Sequence, residues 1–358
     1  MSPIRAPLGT MFPSQKRWAK NICNKFKTTD YCLFVAQMQT GKTGTYLGVA
    51  RKMLKKNLIT NVVVFSGNRE KELRIQTENR ISSDKHINGV TTVVWGASLD
   101  KYVPTDEPTL YIWDESHFGQ SKGQAVDRFL KRCNLTPGNK GQKGNYILSV
   151  SATPFSELKN IDRDLVVWMD KDDNYWGVEK MIENQQIVPY NVNEFEAGIM
   201  PILKEYDSGY SLIRVYNDDN VNSLTRIIGD KRCILYDADF KDDIETILSE
   251  PPTAHIIIIL KGKLQMGKTI MNQKYINLCM ETCRTKKTDS LLQGFIGRFC
   301  GYNTNHNTKI YIPDVIYDNG ELTTYIGMFD GGDVPGRGMN LLTRTPTTKK
   351  ELFNHEWT

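Results

Sequence analysis

The tripeptide Gly41-Lys42-Thr43 has the residue types and spacing that suit the binding of a nucleotide. Backbone N–H groups at a helix N-terminus bind anions, a lysine in this position reaches the β- and γ-phosphates, and the following hydroxyl holds Mg²⁺. We therefore expect Lys42 to bind phosphate and Thr43 to ligate Mg²⁺. The other expected nucleotide contacts of this loop are Gln39, Thr40, Gly41 and Gly44.

The loop has the flanking elements that a phosphate-binding site needs. An apolar run at 31–36 is long enough for one buried strand, and apolar residues after the loop recur at helical spacing. One position departs from the pattern G-x-x-x-x-G-K-[ST], because Ala36 stands where the first glycine is expected, and it fits only if its φ is negative. For the tripeptide alone, an ordinary turn between a strand and a helix explains the sequence equally well.

A second chemical pattern, Asp114-Glu115-Ser116-His117, directly follows an apolar strand predicted at 109–113. Adjacent acids in this position lie at the carboxyl edge of the sheet, where open α/β sheets bind their ligands. We expect Asp114 to hold Mg²⁺ and Glu115 to polarise the attacking water. His117 is placed to sense the γ-phosphate or to bridge to another motif. The ordinary alternative is a solvated pair of acids that ends a strand.

Small polar residues follow two other predicted strands. After the strand at 61–65, hydroxyl, backbone N–H and guanidinium groups could contact nucleic-acid phosphates. The residues concerned are Ser66, Gly67, Asn68 and Arg69. After the strand at 146–150, the hydroxyls of Ser151 and Thr153 could connect the acids to an opposite domain. Ordinary turns would have the same composition, so neither segment is specific by itself.

Gln15 lies upstream of the phosphate loop, in a helix predicted to start at Pro13. Its amide could pair with the N6/N7 edge of adenine, which is the geometry that glutamine uses on adenine in nucleic acids. A surface glutamine in the first turn of a helix is the alternative.

A second glycine-rich loop, from Gly262 to Thr269, matches the phosphate-loop pattern without exception and follows a strand predicted at 255–260. No Asp-Glu strand follows it, so we assign the phosphates to Lys42 and interpret the second loop as a coupling loop near the cleft. Its assigned residues are Gly267 near the nucleotide, and Lys268 and Thr269 in coupling. The alternative, a nucleotide site like that of a small P-loop kinase, predicts that Lys268→Ala and not Lys42→Ala abolishes hydrolysis.

The segment QGFIGR, which begins at Gln293, ends in an arginine, Arg298. An arginine that reaches across a cleft to a nucleotide held by another domain is an arginine finger, and we expect this role for Arg298.

Taken in order, these motifs resemble those of superfamily 2 helicases and translocases of the DExH type. The matching set is Gln15, AQMQTGKT, the Ser66 region, DESH, SAT, the Gly262 loop and QGFIGRFCGY, and it covers about residues 12 to 312. One departure concerns Gln293, which lies one residue farther from Gly297-Arg298 than in the pattern Gln-Arg-x-Gly-Arg. The first arginine of that pattern is also missing, so a coupling role for Gln293 rests on an imperfect match.

The resemblance implies an α/β fold of two tandem RecA-like domains, each a mainly parallel sheet flanked by helices, with ATP and Mg²⁺ in the cleft between them. It implies that Ser151 and Thr153 couple hydrolysis to strand movement, and it supports the roles given above to Lys42, Thr43, Asp114, Glu115 and Arg298. The expected activity is ATP hydrolysis that drives a helicase along nucleic acid. A duplex translocase without strand separation and an ATP-dependent interaction module are the alternatives.

Composition sets wider limits. The chain has 358 residues, 39% of them hydrophobic and 24% charged, which is typical of a globular protein of two or so domains. We predict a first domain at 1–165, a linker at 166–210, a second domain at 211–340 and a polar tail at 341–358. The net charge of +5 permits a local basic groove without demanding one.

Partners and location are expected from the same features. The expected nucleic acid is DNA or, as a second choice, RNA, with protein partners from a replication, recombination or restriction machine. No apolar run approaches the roughly 20 residues of a membrane span, and the N-terminus lacks a secretory apolar region. Seven scattered cysteines without a C-x-x-C pair suggest reduced thiols. We therefore expect a cytoplasmic protein, or a nuclear or viral-factory one in a eukaryotic system, that is not secreted.

Overall fold

The structure is a computed structural model that describes residues 11–68, 70–119, 123–135, 144–159, 161–191, 195–229, 232–264, 270–283 and 288–335. The described chain divides into two compact units, the first ending at Asp173 and the second beginning at Asn174. Each unit is built on one six-stranded sheet.

The sheet of the first unit consists of short apolar strands that are paired in parallel. The strands are β1 (Tyr31–Val35), β2 (Asn61–Ser66), β3 (Thr91–Trp95), β4 (Thr109–Asp114), β5 (Tyr146–Ser151) and β6 (Val166–Trp168). Their order across the sheet is β3-β2-β4-β5-β1-β6. Every residue of β1 and β4 is buried, which is expected of a parallel sheet that is covered on both faces.

Helices connect these strands and supply the core. They are α1 (Pro13–Lys25), α2 (Lys42–Lys55), α3 (Lys71–Ser82) and α4 (Ala125–Arg132), with short 3₁₀ helices at Gly96–Lys101 and Arg163–Leu165. Ile22 of α1 and Val49 of α2 are fully buried with Phe34 of β1 and Ile112 of β4 in one apolar cluster. Burying each such side chain stabilises the fold by about 1.5–3 kcal/mol. This packing fixes the N-terminus of α2 at the carboxyl end of β1.

The second unit repeats the arrangement. Its strands are β7 (Ile187–Tyr190), β8 (Gly209–Val215), β9 (Cys233–Tyr236), β10 (His255–Lys261), β11 (Ile276–Glu281) and β12 (Lys309–Pro313). They are paired in parallel in the order β7-β12-β11-β8-β10-β9. The helices are α5 (Val178–Glu183), α6 (Phe195–Lys204), α7 (Asp218–Ile228), α8 (Ile244–Ile247), α9 (Thr288–Gly294), α10 (Asp314–Tyr317) and α11 (Glu321–Met328), with a 3₁₀ turn at Ile296–Phe299.

The predicted fold class, two mainly parallel α/β sheets flanked by helices, is confirmed. The segment 166–210, which we expected to be a linker, instead contributes β6 to the first sheet and β7 and the start of β8 to the second. β6 is short and lies between the charged runs DRD and DKDDN, and β7 is short and lies among polar residues, so neither strand leaves a clear apolar signal in the sequence. The predicted tail at 341–358 lies outside the described residues.

Among the described helices, none combines the length and the apolar character that crossing a membrane requires.

Candidate active site

The phosphate loop curls between β1 and α2 with two residues in the left-handed region. Gly41, directly before α2, has φ 95°, and Gln39 has φ 58°. Such residues can turn neighbouring N–H groups toward one concave side, which is the geometry of an anion-binding nest. Ala36 is fully buried, has no positive φ, and donates its N–H to the Ser151 carbonyl at 3.3 Å. The negative φ expected of Ala36 is therefore confirmed.

The side chains of the loop fold back over its own backbone. The Thr40 hydroxyl donates to the Gln37 carbonyl at 2.7 Å, and the Lys42 ammonium donates to the same carbonyl at 3.4 Å. The first of these is a strong contact that fixes the loop, whereas the second is long. Lys42 is only half-buried, so its ammonium can exchange this carbonyl for a phosphate oxygen at little cost.

Gln15 lies on the phosphate loop and is not a surface residue, since only 7% of it is exposed. Its Oε1 accepts from the Phe12 N–H at 2.9 Å and its Nε2 donates to the Gly41 carbonyl at 3.1 Å. A Cβ atom at Gly44 would lie 2.3 Å from that Nε2, so any larger residue there would require the Gln15 amide to shift. The contact with adenine stays a prediction, while the contact with the loop is observed.

Asp114 ends β4 beside the N-terminal turn of α2. Its Oδ2 accepts from the Tyr46 hydroxyl at 3.1 Å, and its Oδ1 accepts from the Glu115 N–H at 3.1 Å. Burial raises the pKa of the Asp114 carboxyl, while the charge of Lys42 and the Tyr46 hydrogen bond oppose that rise. Burial also raises the pKa of Tyr46 well above its usual value, so the phenol stays a hydrogen-bond donor.

This arrangement fits a magnesium ion that is shared with phosphates. Within the described residues, no group of three or more His, Cys, Asp or Glu side chains could hold a metal. Mg²⁺ does not need such a group, because it usually takes one or two protein ligands together with waters and substrate phosphates. Asp114 and the hydroxyl of Thr43 are of the right chemistry, and the burial of the Asp114 carboxylate would be compensated by a bound cation.

Glu115 and His117 come after Asp114 in a tight turn. Glu115 adopts φ 51°, a conformation that non-glycine residues adopt rarely. Its Oε2 lies 3.6 Å from Nδ1 of His117, and the same Nδ1 lies 3.2 Å from the Ser151 hydroxyl. The Ser151 oxygen also accepts from the Thr153 N–H at 3.1 Å. The structure thus joins the DESH and SAT motifs through His117.

A second connection, between the DESH motif and the segment that follows SAT, was not predicted. The Ser116 hydroxyl donates to Oε1 of Glu157 at 2.9 Å, and both residues are fully buried. The Ser116 N–H also donates to the Val150 carbonyl at 3.0 Å. The turn after β4 is therefore tied to β5 and to the segment after that strand at several points.

The segment after β2 is largely buried, and its polar side chains bond to its own backbone. The Ser66 hydroxyl accepts from the Asn68 N–H at 3.2 Å, and Asn68 Oδ1 accepts from the Glu70 N–H at 2.8 Å. Ser66 and Asn68 are buried, and Gly67 is half-buried against the Val126 side chain. The hydroxyl and the amide shape this turn, whereas Arg69 lies outside the described residues.

Arg298, the expected finger, is held inside the second unit. Its Nε donates to the Gly294 carbonyl at 2.8 Å, and its Nη2 donates to the Leu264 carbonyl. Only 3% of Arg298 is exposed. Gln293 is also buried, in α9. The predicted coupling residues Lys268 and Thr269, together with Gly267, lie outside the described residues.

Comparisons with known proteins bear on the fold. No protein-family model matches the sequence. An uncharacterised protein of Acanthamoeba polyphaga mimivirus is 23% identical over 327 residues, covering 82% of this chain and 83% of that protein. The structure of S. cerevisiae Dbp5 bound to RNA and ADP BeF3 is similar with a TM-score of 0.56 at 12% identity, covering 88% of this chain and 92% of that one.

A second solved structure gives a similar result. The ATP-dependent Type ISP restriction-modification enzyme LlaBIII bound to DNA has a TM-score of 0.52 at 12% identity, covering 85% of this chain and 27% of that enzyme. The chain therefore has a fold of two tandem RecA-like domains, similar to that of these two solved structures. The fold that the motif resemblance implied is therefore confirmed.

Each RecA-like unit contains a buried residue at its carboxyl edge that the sequence did not reveal. In the first it is Tyr46, which reaches Asp114. In the second it is Arg214 at the end of β8, whose Nε donates to Oε2 of Glu281 at 2.7 Å. Tyr46 stands one helical turn after Thr43 on the buried face of α2, a spacing that could have flagged it. Nothing in the local sequence pairs Arg214 with Glu281.

Proposed function

We propose that this protein is a nucleic-acid-dependent ATPase that works as a helicase, moving along or unwinding DNA or, as a second choice, RNA. One observation carries the proposal. The N-terminus of α2, with Lys42 at its first position, lies beside the buried carboxylate of Asp114, and Tyr46 joins the two elements. Triphosphate hydrolysis requires a cationic loop that binds the phosphates and an acid that can ligate Mg²⁺ at the same edge of the sheet.

The residues of the first unit have separate roles in this proposal. Lys42 and the loop N–H groups, with Gln39, Thr40, Gly41 and Gly44, bind the phosphates. Gln15 braces the loop and binds the adenine edge. Thr43 and Asp114 would hold Mg²⁺, which neutralises phosphate charge when it is bound. Glu115 orients the attacking water and accepts its proton as the water oxygen bonds to the γ-phosphorus and the bond to the β-phosphate oxygen breaks.

The coupling of hydrolysis to movement is assigned to connected residues. His117 contacts both Glu115 and Ser151. In this proposal, a movement of the Glu115 carboxylate on hydrolysis is transmitted through His117 to the SAT segment. Arg298 is proposed as the finger that stabilises charge on the transferred phosphoryl group. Gly267 is proposed to lie near the nucleotide, and Lys268, Thr269 and Gln293 are proposed for coupling in the second unit. Ser66 to Arg69 are proposed for the contact with nucleic acid.

A duplex translocase without strand separation is the second candidate. The similarity to LlaBIII favours it, since that ATP-dependent restriction-modification enzyme was solved on DNA. Partner proteins from a replication, recombination or restriction machine fit either candidate. The mimivirus relative supports a viral factory as one setting.

The decisive experiment measures ATP turnover by the full chain with single-stranded DNA, duplex DNA, branched DNA and RNA in parallel. We expect at least one nucleic acid to stimulate hydrolysis, with a salt-sensitive effect because phosphate contacts release counterions. ATP binding without stimulated turnover would instead support an interaction module. Strand-displacement and triplex-displacement assays, run side by side, then separate the helicase from the translocase.

A further inference from the structure

A buried ion pair at the carboxyl ends of β8 and β11 has no role in the function proposed above. Arg214 and Glu281 face each other in the sheet register and are 3% and 0% exposed. Arg214 Nε donates to Glu281 Oε2 at 2.7 Å, and Nη2 also contacts that oxygen. An apolar pair of similar volume would often serve stability equally well. Stability alone therefore does not explain why charges are buried here.

The pair is held in one orientation by its surroundings. The Tyr216 hydroxyl donates to Glu281 Oε2 at 3.0 Å, and the Cys283 N–H donates to Oε1 at 3.0 Å. The Arg214 guanidinium carbon lies 4.6 Å from the centre of the Phe295 ring. A planar guanidinium that is paired on one side and stacked on an aromatic ring has little freedom to turn.

The fixed guanidinium reaches the turn that carries Arg298. Arg214 Nη1 donates to the Gly294 carbonyl at 3.3 Å, and Arg298 Nε donates to the same carbonyl at 2.8 Å. Gly294 is the last residue of α9, and Arg298 lies in the 3₁₀ turn Ile296–Phe299 just after it. The Gly294 carbonyl oxygen thus accepts from both arginines and fixes their relative position. Phe295, which lies between Gly294 and Arg298 in the sequence, packs on Arg214.

We propose that Arg214 is a positioning residue for Arg298, clamped by Glu281 and holding the end of α9 so that the finger keeps its place. This inference rests on the proposed ATPase function. Arg214 touches no nucleotide in this scheme and acts only through Gly294, Phe295 and Arg298. Misplacing a catalytic group by about 1 Å can cost about 100-fold in rate, so loss of the clamp is expected to reduce kcat by about 10- to 100-fold.

The test uses the full chain and a double replacement, Arg214→Met with Glu281→Leu, which removes the clamp without leaving an unpaired buried charge. The matched control, Ser211→Ala with His255→Leu, removes a buried polar pair from the other end of the adjacent strands β8 and β10, where the Ser211 hydroxyl lies 2.6 Å from His255 Nε2. We expect the clamp variant to lose kcat about 10- to 100-fold with less than a threefold change in KM for ATP. The control variant should keep both constants.

Combination with Arg298→Ala separates positioning from general damage. If Arg214 acts through Arg298, the clamp replacement added to Arg298→Ala lowers kcat no further, because residues that act as a unit are not additive. Multiplied losses, or an unchanged kcat in the clamp variant alone, would overturn the inference. Should the double replacement fail to melt cooperatively, Arg214→Lys takes its place in the same cycle, since lysine keeps the charge but cannot span both partners.

The same measurements distinguish a failure of the clamp from a failure of the function. A wild-type chain that hydrolyses no ATP, or an Arg298→Ala variant with wild-type kcat, overturns the proposed finger and the inference with it. A wild-type ATPase that loses activity on Arg298→Ala but not on loss of the clamp overturns the inference alone.

Discussion

The carboxyl edges of the two sheets use buried acids in opposite ways. In the first unit, Asp114 accepts hydrogen bonds from the Tyr46 hydroxyl and a backbone N–H, and its pKa is raised by burial. In the second, Glu281 is paired with Arg214 inside the fold and also accepts from Tyr216. The pKa of the first acid stays raised despite the nearby charge of Lys42, whereas the second acid is bonded directly to a cation of the chain.

This difference in the environment of the two acids shows how the same fold can provide a ligand site in one unit and a rigid support in the other. An acid with a raised pKa costs free energy when it is ionised, and a bound cation returns that energy, so it suits a ligand site. A neutralised and fully hydrogen-bonded acid suits a rigid support. In the function proposed above, the first edge would perform the chemistry and the second edge would hold Arg298 in place.

The largest expected effect concerns Glu115, the proposed general base of the first edge. Glu115→Gln keeps the shape of the side chain but cannot accept a proton, so kcat should fall by about 100- to 10,000-fold while ATP binding is kept. Steady-state turnover and fluorescent-nucleotide binding measure the two properties. Glu78→Gln, which breaks only an exposed pair with Arg74, is the control and should behave as wild type. A Glu115→Gln enzyme with normal kcat would remove chemistry from this edge.

The supporting acid should matter for stability. Glu281→Gln leaves Arg214 buried without its counter-charge, and we expect a loss of about 3–5 kcal/mol in the free energy of unfolding. Denaturant melts of the full chain, followed through the transition that reports the second unit, give this value. If the loss is under about 1 kcal/mol, the pair is not the rigid support described here.

Replacing Asp114, the acid of the first edge, should change the free energy of unfolding in the opposite direction. Its pKa in the folded protein is raised, so the folded state binds more protons than the unfolded state between the ordinary value of about 4 and the raised value. Stability contributed by this group is present below that window and is lost as pH rises through it. Asp114→Asn should therefore stabilise the nucleotide-free chain at pH 8, by about 1 kcal/mol, and much less at acid pH.

Thermal melts of the wild-type protein and of Asp114→Asn across pH 4 to 8, without nucleotide or Mg²⁺, test whether the replacement is stabilising at high pH. Tyr46→Phe serves as a control, because it removes the hydroxyl that donates to Asp114 without removing the charge. It should be destabilising at neutral pH by about 1 kcal/mol. A destabilised Asp114→Asn variant at pH 8 would show that the carboxylate is already compensated within the chain.

Some of this account could be predicted from the sequence because the information is local. Apolar runs followed by Gly-Lys-Thr or Asp-Glu specify both a strand and the functional loop beyond its carboxyl end. Lys42 begins α2 in the connection after β1, and Asp114 is the last residue of β4. The contacts of Glu157 and Arg214 could not be predicted, because they depend on which strands become neighbours. The strands β6 and β7 were not predicted because they are short, β6 between charged runs and β7 among polar residues.

The choice between the two glycine-rich loops tests the central claim most directly. Single-turnover ATP hydrolysis should be measured for Lys42→Ala and for Lys268→Ala under the same conditions, each with the nucleic acid that stimulates wild type best. We predict that Lys42→Ala loses about 100- to 1,000-fold in rate, as expected when a preorganised charge contact to the reacting phosphate is removed, while Lys268→Ala keeps substantial basal hydrolysis. Intact hydrolysis in Lys42→Ala together with its loss in Lys268→Ala would contradict the account.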